Sequence, residues 1–147
     1  MVKIVASVLI DRPAEAAWKL ITDLSKLTKW DTSVSEAKWT SAGPIGVGAT
    51  CDLTVQVMGK MTVSQRVIEY EPNRKFSLEF TSGPAKGSIV TFSMETIEGK
   101  TRFTSSNDLK YNGFYKLLAP FVTRTLNKSV VDTVYNVKRI LESEAQS

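Results

Sequence analysis

The chain has no histidine. Histidine is the usual general base near neutral pH and the commonest metal ligand. Its absence excludes Ser/His and Cys/His nucleophilic catalysis and argues against a zinc site, so neither a metal nor a cofactor is expected. There is a single cysteine, Cys51, which excludes an internal disulfide. Nothing else in the sequence suggests export, and the cytoplasm is the expected compartment. Long apolar runs are also missing. The stretch from Ile4 to Ile10 is too short to span a bilayer and has no small-residue cleavage site before Asp11 and Arg12. It reads as a strand, the mature protein is expected to start at Met1, and no stable membrane insertion is expected. Basic runs interleaved with aromatics are absent too. The 19 basic and 15 acidic residues give a net charge of +4, and cations such as Arg124, Lys128, Lys138 and Arg139 read as solvated surface. Nucleic-acid binding is not expected. Gly46-Val47-Gly48 lacks the lysine and following Ser/Thr of a phosphate loop and leads into a strand pattern.

What is present suits one ordinary domain, residues 1–147 without a linker, with 42% hydrophobic residues to build a core. Val2, Ile4, Ala6, Val8 and Ile10 share one parity, as in a strand with one face against a core. Pro13 then suits the first position of a helix, and Ala14, Ala17, Trp18 and Ile21 recur at helical spacing in a short helix ending near Asp23. Leu24, Leu27 and Trp30, with Ser25 available as a cap, suggest a second short helix.

From Val34 the period becomes two. Strands are expected over 34–40, 50–58, 61–70, 75–82, 88–96 and 102–111, with turns at Gly59-Lys60, Glu71-Pro72-Asn73, Gly83-Pro84 and Glu98-Gly99. Together with the first strand this makes seven. Beyond Gly113 a helical period persists for roughly thirty residues, well beyond the average helix. Leu126, Val130, Val134, Val137 and Leu141 form one stripe, leaving Lys128, Asp132, Lys138, Arg139 and Glu142 for water. The first half of this segment, Phe114 to Val122, is apolar almost all round, and Pro120 is expected to bend or interrupt the helix. Such a stretch either packs between sheet and short helices or covers an internal cavity.

The order strand, two short helices, six antiparallel strands and a long C-terminal helix is similar to the α+β helix-grip fold of the START-like (SRPBCC, Bet v 1-like) superfamily. Asp11-Arg12-Pro13-Ala14-Glu15-Ala16-Ala17-Trp18, with Thr22-Asp23-Leu24-Ser25 and Lys29-Trp30-Asp31, resembles the opening of its polyketide cyclase/dehydrase and lipid-transport group. Gly46 to Thr50, Arg66 to Pro72 and Leu118-Ala119-Pro120 resemble its later landmarks. The resemblance implies a curved seven-stranded sheet gripping the long helix around a cavity open at one end. It does not fix function, because binding proteins, carriers, enzymes and chaperone activators share the scaffold.

Within that geometry, Gln65, Ser105 and Asn107 are polar residues on apolar parities. Each needs a partner in the protein, in water or on a ligand, unless a bulge turns it outward. Trp30, Met61, Phe80, Met94, Phe103, Tyr111, Leu118 and Val122 are the candidate apolar lining, although such residues also serve as plain core. Cys51 sits on an apolar parity, where a buried inert thiol is the simpler reading. No inward carboxylate pair is evident. The leading reading is binding or transport of a small hydrophobic molecule, such as a lipid, polyketide, isoprenoid or aromatic compound, by a monomer or weak homodimer. The alternatives are a cyclase or dehydratase using Tyr111 and Asn107 as hydrogen-bond donors, and a protein-interaction role.

Overall fold

The computed structural model describes residues 2–56 and 59–145, the side chain of Phe114 excepted. β1 (Val2–Ile10) leads through Asp11-Arg12-Pro13 into α1 (Ala14–Ile21), followed by a 3-10 turn (Leu24–Lys26) and α2 (Leu27–Trp30). β2 (Val34–Trp39), β3 (Thr50–Gln56), β4 (Lys60–Glu71), β5 (Lys75–Phe80), β6 (Ile89–Ile97) and β7 (Lys100–Leu109) follow, then a 3-10 turn (Gly113–Lys116) and α3 (Ala119–Glu144). The strands form one antiparallel sheet in the order β1-β7-β6-β5-β4-β3-β2, so the first strand closes beside the last. This is the helix-grip arrangement: a curved sheet, two short helices after the first strand, and a long C-terminal helix. Val57 and Met58, included in the expected third strand, lie outside the described residues.

Local chemistry sets the element ends. Pro13 stands one position before α1 and supplies the carbonyl that Ala16 and Ala17 use. The helix stops at Ile21, where the Thr22 hydroxyl donates back to Trp18 O (2.7 Å). The cap of the next turn is Asp23, not Ser25, because the Asp23 carboxylate accepts the backbone N–H and the hydroxyl of Ser25. Pro120 neither bends nor breaks α3; it occupies the first turn, where its missing N–H has no helical acceptor to lose. A register shift between Val67 and Glu69 changes which parity of β4 faces inward. Gln65 and Val67 are therefore inside before it, while Tyr70 packs after it on Trp18, ring centroids 5.1 Å apart.

Trp18 also meets Phe76 edge-on at 5.8 Å, and α1 packs across β6 and β7. The second half of α3 is tied to the β1–α1 corner. The Asp11 N–H donates to Glu142 Oε2 (2.9 Å), the Arg12 guanidinium to Leu141 O (2.7 Å), and Lys138 Nζ to Leu9 O (2.7 Å) and Glu142 (2.8 Å). Lys138 is thus a structural latch and not simply solvated. Val134, Val137 and Leu141 of the expected stripe are buried, while Leu126 and Val130 are half-buried. The apolar stretch before them divides: Val122 is buried, but Leu117 and Phe121 are 77% and 72% exposed.

Candidate functional site

Between the concave face of the sheet, α2 and the first half of α3 lies a cavity of about 190 Å³. Its walls are almost wholly apolar. α1 and α2 contribute Ile21, Leu27 and Trp30, β3 and β4 contribute Leu53, Val55 and Val63, β5 and β6 contribute Leu78, Val90 and Phe92, and α3 contributes Val122, Leu126 and Val130. The lining residues Met61, Pro84, Ala85 and Tyr115 are only half-buried. They cluster where the start of β4, the β5–β6 connection and the segment after β7 meet, so the cavity opens at that end.

Eight sequence candidates border this space: Trp30, Met61, Gln65, Phe80, Ser105, Asn107, Tyr111 and Val122. Three do not. Met94 and Phe103 face each other on β6 and β7, and both are buried in the main core with α1 packed over these strands. Phe103 stacks on Phe92 with centroids 5.9 Å apart, so its ring fills core volume beside the cavity wall. Leu118 caps α3 and packs with the smaller cluster of Ile4, Leu109, Tyr111 and Val122.

The polar groups on the wall fall into separate sets. Gln65 Oε1 accepts the Cys51 thiol at 3.8 Å. Burial, and secondarily neighbouring Asp52, push that thiol up to about 11, which leaves it protonated and unreactive at neutral pH. Asn107 Nδ2 donates to Ser105 Oγ (3.1 Å) and, over a longer 3.5 Å, to Ile4 O. The hydroxyls of Tyr111 and Thr123 bond each other at 3.0 Å. Trp30 is 1% exposed and edge-on to Phe92 at 5.5 Å. Its indole Nε1 is, among the described residues, the one buried side-chain polar atom without a hydrogen-bond partner.

Sequence reasoning missed Asp31, Ser33, Ser129 and Thr133, which also border the cavity. Asp31 accepts the Ser33 N–H (3.1 Å) and hydroxyl (2.6 Å), and burial raises its carboxyl above the ordinary aspartate range. The Asp-x-Ser spacing signals this turn, but only the fold brings it to a cavity. Ser129 and Thr133 lie seven residues beyond Val122 and Leu126, a helical spacing that could have identified them. Among the described residues, no group of three His, Cys, Asp or Glu side chains could hold a metal ion. No described helix is long and apolar enough to cross a membrane.

Residues 1–142 match the family model described as polyketide cyclase / dehydrase and lipid transport. No curated protein matches the chain by sequence. Solved structures with the same fold include a protein of Thermus thermophilus at TM-score 0.83 and 17% identity, covering 99% of this chain and 100% of that one. The Zhui aromatase/cyclase from Streptomyces has TM-score 0.84 at 14% identity, covering 98% of this chain and 95% of its own. A polyketide-cyclase-like protein of Corynebacterium glutamicum has TM-score 0.68 at 24% identity, covering 98% and 93%. At these identities the structural likeness concerns the fold alone.

Proposed function

Because the chain belongs to the polyketide cyclase/dehydrase and lipid transport family, we propose that it binds a small, mostly apolar molecule carrying at least one acceptor oxygen in the cavity. The reading is that of a binding or carrier protein. The observation that carries it is an apolar cavity bordered by Trp30, whose buried indole N–H has no partner. A buried donor without an acceptor costs about 1–3 kcal/mol, which a ligand oxygen would recover. The volume of about 190 Å³ is somewhat larger than the engineered cavity of about 150 Å³ that holds benzene, so the enclosed part suits one ring or a short folded chain. Anything longer would extend through the open end.

Native mass spectrometry of the purified protein and a thermal-shift panel of aromatic, isoprenoid and acyl compounds test this directly. Trp30→Phe keeps a ring against Phe92 but removes the N–H. It should weaken a carbonyl-bearing ligand roughly 5- to 150-fold and leave its hydrocarbon analogue unchanged. Equal loss for both would sink the donor role, and a panel with no binder at all would sink the ligand reading.

A second reading, cyclase-like chemistry, is favoured by Tyr111, a cavity residue whose hydroxyl is held by Thr123. Here the cavity would fold a flexible poly-β-ketone while Tyr111 and Asn107 donate to a developing enolate. Its test is turnover of such a substrate, which must disappear in Tyr111→Phe.

A further inference from the structure

We infer that the end of the molecule where the cavity opens is a docking surface for anionic lipid, with Leu117 and Phe121 as the side chains that enter the bilayer interface. Single exposed apolar residues are ordinary on protein surfaces. These two are different in extent and position: they are 77% and 72% exposed, Leu117 in the turn that leads into α3 and Phe121 in its first turn, and they are close in the chain to the cavity residues Tyr115 and Val122.

Charge identifies the occupant. Three segments at this end, 59–64, 81–88 and 109–131, contain Lys60, Lys86, Lys110, Lys116, Arg124 and Lys128 and no aspartate or glutamate. Two acids flank them: Asp108, one position before Leu109, and Asp31, a half-buried cavity residue that accepts from Ser33, whose carbonyl in turn accepts the Gln56 N–H (2.8 Å). The remaining sequence holds thirteen basic and fifteen acidic residues, so the positive net charge of the chain resides here. All six cations are exposed. Among the described residues the ion pairs are made by Arg12, Arg66, Arg74, Lys75 and Lys138, and none by these six.

Hydrogen bonds hold the segments together. Thr81 N–H donates to Ser64 O (2.9 Å), Lys110 N–H to Ser88 Oγ (2.7 Å) and Asn112 N–H to Pro84 O (2.9 Å). Unpaired cations on the joined segments, together with two protruding apolar side chains, complement a surface with anionic headgroups outside and acyl chains beneath. No described helix could span the bilayer, so the contact is a reversible surface one. In the carrier reading, on which only this consequence rests, a hydrophobic ligand would pass between bilayer and cavity without crossing bulk water.

Sedimentation of the full chain with vesicles of phosphatidylcholine, with or without about one-third phosphatidylglycerol, tests the docking with no cavity ligand. Its failure is therefore distinguishable from failure of the cavity reading. Binding is expected on the anionic vesicles only, and it should be lost at about 0.5 M salt. Leu117→Ser/Phe121→Ser should weaken it tenfold or more with an unchanged melting temperature. Lys116→Gln and Arg124→Gln should each weaken it about fivefold. Tyr135→Ser, which alters an exposed aromatic site farther along α3, should leave it unchanged. Phe121→Trp should show a blue-shifted emission on anionic vesicles. The inference is overturned by equal binding to neutral vesicles, by wild-type binding in the double serine variant, or by capture of an acidic protein without vesicle binding.

Discussion

Two glycines with nearly the same backbone provide a test of how tightly the cavity rim is built. Gly83, in the β5–β6 connection, has φ +85°, and Gly99, in the β6–β7 turn, has φ +81°. Alanine at either position takes on the left-handed strain of about 1–2 kcal/mol. Their surroundings differ. A Cβ on Gly99 meets open space, whereas one on Gly83 would stand 2.7 Å from Val63 Cγ1. Val63 is β-branched and buried, and it borders the cavity, so it cannot turn aside without leaving its preferred rotamer. That overpacking adds about 1–3 kcal/mol. Gly83→Ala should therefore cost about 2–5 kcal/mol and Gly99→Ala about 1–2 kcal/mol. For a chain of this length the difference amounts to about 2–12 °C in melting temperature. Equilibrium urea unfolding, with m unchanged, and calorimetry give the two values. A parallel titration with an anilinonaphthalene fluorophore should show weaker binding in Gly83→Ala alone, because displaced Val63 narrows the cavity. Equal stability losses in the two variants would refute the reasoning.

Three further substitutions or treatments probe the same site. Asp31 has a carboxyl raised by burial, so its contribution to stability is complete below the unfolded aspartate pKa and is lost as pH rises through the higher folded value. Asp31→Asn, which can still accept from Ser33, should raise the melting temperature at pH 7, and the gain should vanish below about pH 4; a gain independent of pH would contradict this. Cys51, with its thiol pushed up to about 11, should resist iodoacetamide at pH 8 in the native protein and react only as fast as the chain unfolds. Labelling within the mixing time would contradict its burial. Thr101 is fully buried and donates to Arg12 O at 2.7 Å. Thr101→Val should cost about 1–3 kcal/mol in urea unfolding by leaving that carbonyl unpaired, and a loss near zero would show that water replaces the hydroxyl.

The elements were legible because their signals are local. Alternation gave the strands, and the proline and helical spacing after Asp11 gave the corner. What the sequence could not display was where the long helix meets an apolar neighbour. Phe114 to Val122 looks uniformly apolar, yet Val122 is buried while Leu117 and Phe121 project outward. Periodicity places residues on faces; it does not state which faces acquire a partner. Pro120 illustrates the same limit, since a proline inside a helical pattern and a proline starting a helix differ only in whether the preceding turn is continuous.

The candidate lining shows the limit along β7. Thr101, Phe103, Ser105, Asn107 and Leu109, and Tyr111 just beyond, share one parity, and all six are buried. The inward face was therefore readable. Their roles change with distance along the strand. At the end near the β1–α1 corner, Thr101 is satisfied by Arg12 O and Phe103 is packed into the main core beneath α1. Farther along, Ser105, Asn107, Leu109 and Tyr111 all border the cavity. Met94 follows the same rule, since it pairs with Phe103 and not with the residues of the open half. Along β6 and β7 a residue on this face becomes lining where α1 no longer covers the strands, and that distance is a tertiary quantity. The same rule explains why the small polar residues were better guides than the large apolar ones. A serine or asparagine leaves volume unfilled wherever it faces inward, whereas methionine or phenylalanine at the same parity can fill that volume and erase the cavity.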